Sequence, residues 1–170
     1  MIVILNGPLG IGKTETAWKL LEYFERAAIL DCDYIGGNVS TFDYRNPSSF
    51  RTTIECVAVL AKHQKNAIGI NDFVVSGVFE SKEQLTIARS LLSEVSVPVV
   101  AYLLYANPIV LENRVRNRGN VDVEREIARA LELLNILDPS NNDLGKPFDT
   151  SNLMLEEATE KLWKDIQLSA

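Results

Sequence analysis

This sequence predicts an α/β fold in which a five-stranded parallel sheet lies between two layers of helices, on three observations. Apolar runs at Ile2-Val3-Ile4-Leu5, Ala27-Ala28-Ile29-Leu30, Phe73–Val78 and Pro98–Leu104, with a weaker fifth at Phe148-Asp149-Thr150-Ser151, alternate with segments of helical periodicity. That order suits a doubly wound sheet with right-handed crossovers. The Phe73–Val78 run is continuous rather than alternating, as in strands covered on both faces. The first run leads directly into a glycine-rich turn and a helix, which puts the turn at the carboxyl edge of the sheet, where ligands bind in such folds. At 170 residues and 46% hydrophobic composition, one domain over 1–170 with a full core is expected.

The turn, Gly7-Pro8-Leu9-Gly10-Ile11-Gly12-Lys13-Thr14, fits the phosphate-binding pattern G-x-x-x-x-G-K-[ST]. Its glycines let successive backbone N–H groups face one point, the following helix adds its positive end, and Lys13 adds a mobile full charge. Gly7, Gly10, Ile11, Gly12, Lys13, Thr14 and Glu15 are therefore the candidates to hold a triphosphate. The Thr14 hydroxyl is placed to ligate Mg²⁺, a hard cation that prefers oxygen. Lys13 is expected to face solvent until the phosphates arrive.

Ala17, Leu20, Leu21 and Phe24 recur at helical spacing, so 13 to about 26 reads as an amphipathic helix with Trp18 at the edge of its stripe. The second strand then ends in Asp31-Cys32-Asp33, whose carboxylates share one face, since side chains alternate with period two. Residues 34–51 lack clean periodicity and read as an acceptor-binding excursion over the site. The next helix is expected over 49–65 with Ser48 or Ser49 as cap, leaving His63 solvated near its end. Ser81 with Gln84 resembles a capping box opening a helix through Leu85, Ala88, Leu92 and Val95. Asn107-Pro108 starts a helix that carries Arg114, Arg116 and Arg118 and stops at Gly119-Asn120. A helix over 123–136 follows, and the break makes 114–125 a candidate lid. The turn-rich stretch 138–147 is expected to be an exposed loop, with a terminal helix after Ser151.

A net charge of −6 argues against a nucleic-acid surface, which needs clustered Lys and Arg. Cys32, Cys56 and one histidine form neither a disulfide framework nor a zinc pattern, which suits a reducing cytoplasm. The amino terminus lacks a basic leader pattern, and no apolar run approaches the ~18 residues of a membrane span. A soluble, unprocessed, cytoplasmic protein with no membrane partner is expected. The sequence carries no signature of an oligomeric state.

With Leu-Asn-Gly-x5-Lys-Thr near the start, Asp-x-Asp after the second strand, Arg-x3-Arg before a short lid and Asp-Thr-Ser-Asn-Leu before the last helix, the chain resembles the small P-loop kinases. These include nucleoside-monophosphate, shikimate and gluconate kinases, and the resemblance covers essentially the whole length. The opening and closing motifs look most like the tunicamycin-resistance proteins and related uncharacterised ATP-binding proteins. The resemblance implies a P-loop NTPase αβα sandwich with a short lid, ATP and Mg²⁺ as cofactors, and transfer of the γ-phosphate to a hydroxyl of a small metabolite or antibiotic-like acceptor. In its terms Asp31 would hold Mg²⁺ through water, Asp33 would contact the acceptor hydroxyl, and Arg51 would hold an acceptor anion. Arg114 would stack on adenine, and Arg118 would meet the transferring phosphate.

Two departures bear on the acceptor. Nucleotide kinases of this kind carry Asp-Gly-x-Pro-Arg after the third strand, where this chain has Ser76-Gly77-Val78-Phe79-Glu80. The glycine triplet of shikimate kinases is missing there too, and Glu55 falls one residue late for their Arg-containing helix. A nucleoside-monophosphate kinase gripping its acceptor through Arg45 or Arg51 stays as an alternative, as does an ATP-binding switch or sequestering protein with little turnover.

Overall fold

The structure, a computed structural model, describes residues 1–37, 43, 46–119, 121–140 and 142–169. Five strands, β1 (Ile2–Asn6), β2 (Ala27–Asp31), β3 (Asp72–Ser76), β4 (Val99–Tyr105) and β5 (Lys146–Asp149), form one all-parallel sheet in the order β2-β3-β1-β4-β5. β1 is central, with Ile4 in register with Val75 on one side and Ala101 on the other. The helices are α1 (Lys13–Leu20), α2 (Cys32–Gly37), α3 (Pro47–Ile68), α4 (Lys82–Ser93), α5 (Pro108–Asn117), α6 (Val123–Ile136) and α7 (Leu155–Ser169).

Strand alternation divides the core between the two faces. Ile2 and Ile4 pack with Ile54, Val57, Leu85 and Leu92 of α3 and α4, while Val3 and Leu5 pack with Ala17, Leu20, Val115 and Leu162 of α1, α5 and α7. These four apolar side chains of β1 are fully buried, each contributing about 1.5–3 kcal/mol relative to exposure. The result is three layers with β1, and the loop that leaves it, in the middle.

Several boundaries differ from the sequence expectation for physical reasons. α1 tightens after Leu20 into a 3₁₀ turn over Leu21–Tyr23, which brings the chain back to β2 within a few residues, and Trp18 is 63% exposed rather than packed. α3 begins at Pro47, with Asn46 as cap accepting from Ser48 N–H at 2.9 Å, and runs to Ile68, where Gly69 caps it. Proline suits the first helical position because its missing N–H would be unpaired there anyway. Ser81 caps α4 as expected, accepting from Gln84 N–H at 3.2 Å, but the Gln84 side chain accepts from Glu80 N–H at 2.6 Å rather than from the cap residue. The 138–147 loop is not wholly exposed, since Leu144 is 4% exposed and joins a cluster with Leu103, Leu133 and Leu137. In the expected acceptor region, residues 38–42, 44 and 45, Arg45 included, lie outside the described residues, as does Asn120 of the lid.

Candidate functional site

The loop leaving β1 turns on glycines at positions that admit nothing larger. A Cβ on Gly7 would lie 2.6 Å from the Leu104 carbonyl oxygen, so any other residue would push β4 away. Gly12, at φ +100°, has the left-handed backbone that side chains disfavour and nothing within 4 Å of its would-be Cβ. It is the N-cap of α1 with no side-chain cap, so the first-turn N–H groups of α1 are left for an anion.

Lys13 does not face solvent. Its ammonium is buried and donates to the carbonyls of Gly7 at 2.9 Å and Pro8 at 3.1 Å. A long flexible cation beside loop carbonyls that have acceptor capacity to spare folds back onto them, which overturns the expectation of a free side chain. Burial lowers its pKa from 10.5 to about 8, opposed by the carboxylates of Asp33 and then Asp31, and assisted by the Arg118 charge. The charges of Asp33, Asp31 and Arg118 thus act on one ammonium, although the four residues come from three stretches of the chain.

Asp31 and Asp33 are not related by strand alternation. β2 ends at Asp31 and α2 starts at Cys32, so helical geometry takes over between them. Asp31 Oδ1 accepts from the N–H groups of Asp33 at 2.9 Å and Tyr34 at 3.4 Å, holding the first turn of α2. Its other oxygen, Oδ2, accepts from the Thr14 hydroxyl at 3.2 Å. Asp31 thus ties the phosphate loop to β2, and Asp33, two residues on, is exposed. The donors at this point are all oxygens, and no group of three or more His, Cys, Asp or Glu side chains suited to a metal exists among the described residues. That chemistry fits a hard cation completed by phosphate oxygens rather than a protein cage.

The three arginines of α5 have separate fates. Arg116 pairs with Glu112 at 2.9 Å and with Glu124 at 2.6 Å, which links α5 to α6 across the break. Arg114 is half-buried and donates to the Thr150 carbonyl at 2.7 Å, the Thr150 hydroxyl at 2.8 Å and the Ile11 carbonyl at 3.3 Å. Desolvation lowers its pKa, opposed by Asp149. Arg118 is exposed at the end of α5, and its side chain has no hydrogen bond or ion pair among the described residues. Together with Gly10, Ile11, Gly12 and Glu15, and with residues 150–155, Arg114 and Arg118 line a cleft of about 570 Å³. The Thr150 N–H and hydroxyl both donate to the Tyr105 carbonyl, so the far wall of the cleft is fixed to β4.

Arg51 is not brought to the site. It is exposed on α3 and pairs with Glu55 at 2.9 Å, whereas Phe50, Thr53 and Ile54 line the hollow beside Asp33. One residue is about 100° of helix rotation, enough to turn Arg51 off that face.

Sequence reasoning gave no role to Asn6, which is fully buried at the end of β1. Its amide donates to the carbonyls of Phe79 and Leu144, both at 3.1 Å, and its oxygen accepts from Gly7 N–H at 2.8 Å and Phe79 N–H at 2.9 Å. It therefore pins three loops around the site. Replacing it with Ala strands those buried partners and is expected to cost about 2–4 kcal/mol, read as a lower urea midpoint at unchanged m-value.

No protein-family model and no curated protein matches the chain. Among solved structures it is similar to the tunicamycin resistance protein of Deinococcus radiodurans, at 21% identity over 97% of this chain and 94% of that one, with a TM-score of 0.69. Shikimate kinase from Acinetobacter baumannii in complex with shikimate is similar at 20% identity, with coverage of 99% and 93% and a TM-score of 0.64. A gluconokinase from Sinorhizobium meliloti 1021 follows at 16% identity, 99% and 96% coverage and the same TM-score of 0.64. At identities this low the likeness is one of fold alone, and that fold is the small P-loop kinase fold.

Proposed function

We propose that the chain is an ATP- and Mg²⁺-dependent phosphotransferase that moves the γ-phosphate to a hydroxyl of a small acceptor. The carrying observation is the uncapped start of α1, where Lys13 lies buried on the Gly7 and Pro8 carbonyls and Thr14 is bonded to Asp31, with the charges of Asp33 and Arg118 acting on the same ammonium. Phosphoryl transfer asks mainly for positioning and charge stabilisation, and this set offers both. Lys13 leaves the Gly7 and Pro8 carbonyls for phosphate oxygens, and the α1 N–H groups cradle the same anion. Thr14, through its hydroxyl, and Asp31, through water, would hold Mg²⁺, whose charge would offset that of the phosphates. Asp33 accepts the proton of the acceptor hydroxyl at its carboxylate, and Arg118 stabilises charge on the group in transit. Arg114, its edge committed to Thr150 and Ile11, stacks against the base in the cleft. Residues 114–125 act as a lid on a single unit spanning 1–170. Among the described residues no helix is long and apolar enough to cross a membrane.

The deciding experiment is ATP turnover with and without a mixed pool of hydroxylated acceptors. A phosphorylated product upholds the reading, and slow hydrolysis alone assigns the protein to the switches.

The low pKa of Lys13 gives a pH prediction. Its value in the folded chain lies below that in the unfolded chain, so the unfolded state binds more protons between about pH 8 and 10.5. This residue's contribution to stability therefore rises with pH across that window. Binding a triphosphate restores the proton, so apparent ATP affinity is expected to fall by up to about tenfold per unit above pH 8. Calorimetry should show that fall in the wild type and a flat profile in Lys13→Arg, whose guanidinium keeps its proton.

Arg118→Lys should lower kcat much more than ATP affinity, because Lys keeps the charge but loses the fork that spans two phosphate oxygens. Arg114→Ala should instead raise the KM for ATP. If both variants changed only that KM, the lid assignment would be lost.

A further inference from the structure

Beside Asp33 lies a narrow notch of about 20 Å³ walled by Cys32, Phe50, Ile54, Val78 and Phe79. That is room for roughly one water-sized or methyl-sized group. Its walls are firm, since Ile54 and Phe79 are each 1% exposed and the Phe50 and Phe79 rings meet edge to face at 6.0 Å and 89°. Burial pushes the Cys32 thiol up, so this wall stays uncharged. Thr53, the other lining residue, commits its hydroxyl to the Ser49 carbonyl at 3.0 Å.

No cation lines this notch among the described residues. Of the cations on the neighbouring elements, Arg51 pairs with Glu55, Lys82 with Asp143, and Arg129 with both Glu80 and Glu132. Glu80 directly follows Phe79 of the notch wall, so Arg129 is already engaged by a carboxylate on that side. Burying an anion against an apolar wall without a partner is strongly unfavourable, and an overall charge of −6 adds to the cost. The donor side differs, with Lys13 and Arg118 in the same field as Asp31 and Asp33.

We infer that the acceptor is a neutral alcohol with an apolar or ring-shaped body, and that alcohols bearing a carboxylate or phosphate are rejected. This rests on the phosphotransferase reading of the same site. The hydroxyl meets Asp33, the carbon that carries it enters the notch, and the remainder lies against Phe50.

The test uses two probes that share a ring and a hydroxymethyl group, benzyl alcohol and 4-(hydroxymethyl)benzoate, titrated into the intact protein by ligand-observed NMR. The neutral probe should bind at least about tenfold more tightly. Phe50→Ala should weaken it several-fold at unchanged circular dichroism, and Glu80→Gln, which releases one partner of Arg129, should strengthen the benzoate alone. Equal or tighter benzoate binding to the wild type overturns the inference, as does indifference of benzyl alcohol to Phe50→Ala. Phosphoryl transfer from ATP is measured on the same samples. A preference for the neutral probe with no transfer to either upholds the pocket's selectivity, and the phosphotransferase reading then stands or falls with the mixed-pool experiment. Preferential transfer to the benzoate upholds that reading and overturns the selectivity.

Discussion

Lys13→Ala is expected to abolish phosphoryl transfer and to weaken ATP binding by about 1.5–3 kcal/mol, the worth of a charge-assisted contact, or roughly 10- to 150-fold in Kd. The fold should hardly notice. Two effects oppose each other in the nucleotide-free protein, because the variant loses two hydrogen bonds to loop carbonyls but also removes a buried charge whose lowered pKa marks it as costly. A net change within about 1 kcal/mol follows, or about 2–4 °C in Tm for a chain of this size. Turnover and thermal unfolding measured side by side check both halves. Normal turnover would remove Lys13 from the site, and a loss of ten degrees would make its role structural.

The parts of this molecule that were legible in the sequence are those whose signals are local. β1, the glycine loop and α1 follow one another without interruption, and α6 occupies 123–136 as its periodicity predicts, because each obeys a rule of a few residues' range. What was not legible depends on partners far along the chain. Asn6 bonds to residues 73 and 138 positions away, and no short pattern announces that. Lys13 could be recognised as the cation of a phosphate loop, but not as one folded onto that loop's carbonyls, since this depends on the three-dimensional path of Gly7 and Pro8. Arg51 failed for a geometric reason: an offset of one residue leaves composition unchanged and turns the side chain off the site face. Asp31-Cys32-Asp33 has two readings of equal local merit, a strand end or a helix start. The Asp31 carboxylate decided between them by accepting from the N–H groups of Asp33 and Tyr34.

The two aspartates should separate under mutation. At pH 6.5, below the Lys13 value of about 8, Asp33→Asn is expected to leave Mg·ATP affinity nearly unchanged. Acceptor phosphorylation should drop about 10²-fold or more, because an amide cannot take up the hydroxyl proton. Asp31→Asn damages the metal side twice. The variant's carbonyl oxygen can still cap α2 as Oδ1 does now, but the amide NH₂ then faces Thr14 in place of Oδ2. Thr14 becomes an acceptor in that contact, which engages the hydroxyl oxygen a cation would use, and the carboxylate charge is gone as well. Nothing next to it compensates, since the residue in register with Asp31 on β3 is Ser76, buried and uncharged. Raising Mg²⁺ should therefore partly restore Asp31→Asn and leave Asp33→Asn as slow as before. Identical Mg²⁺ responses in the two variants would mean that the carboxylates act together as one structural cap rather than dividing metal from acceptor.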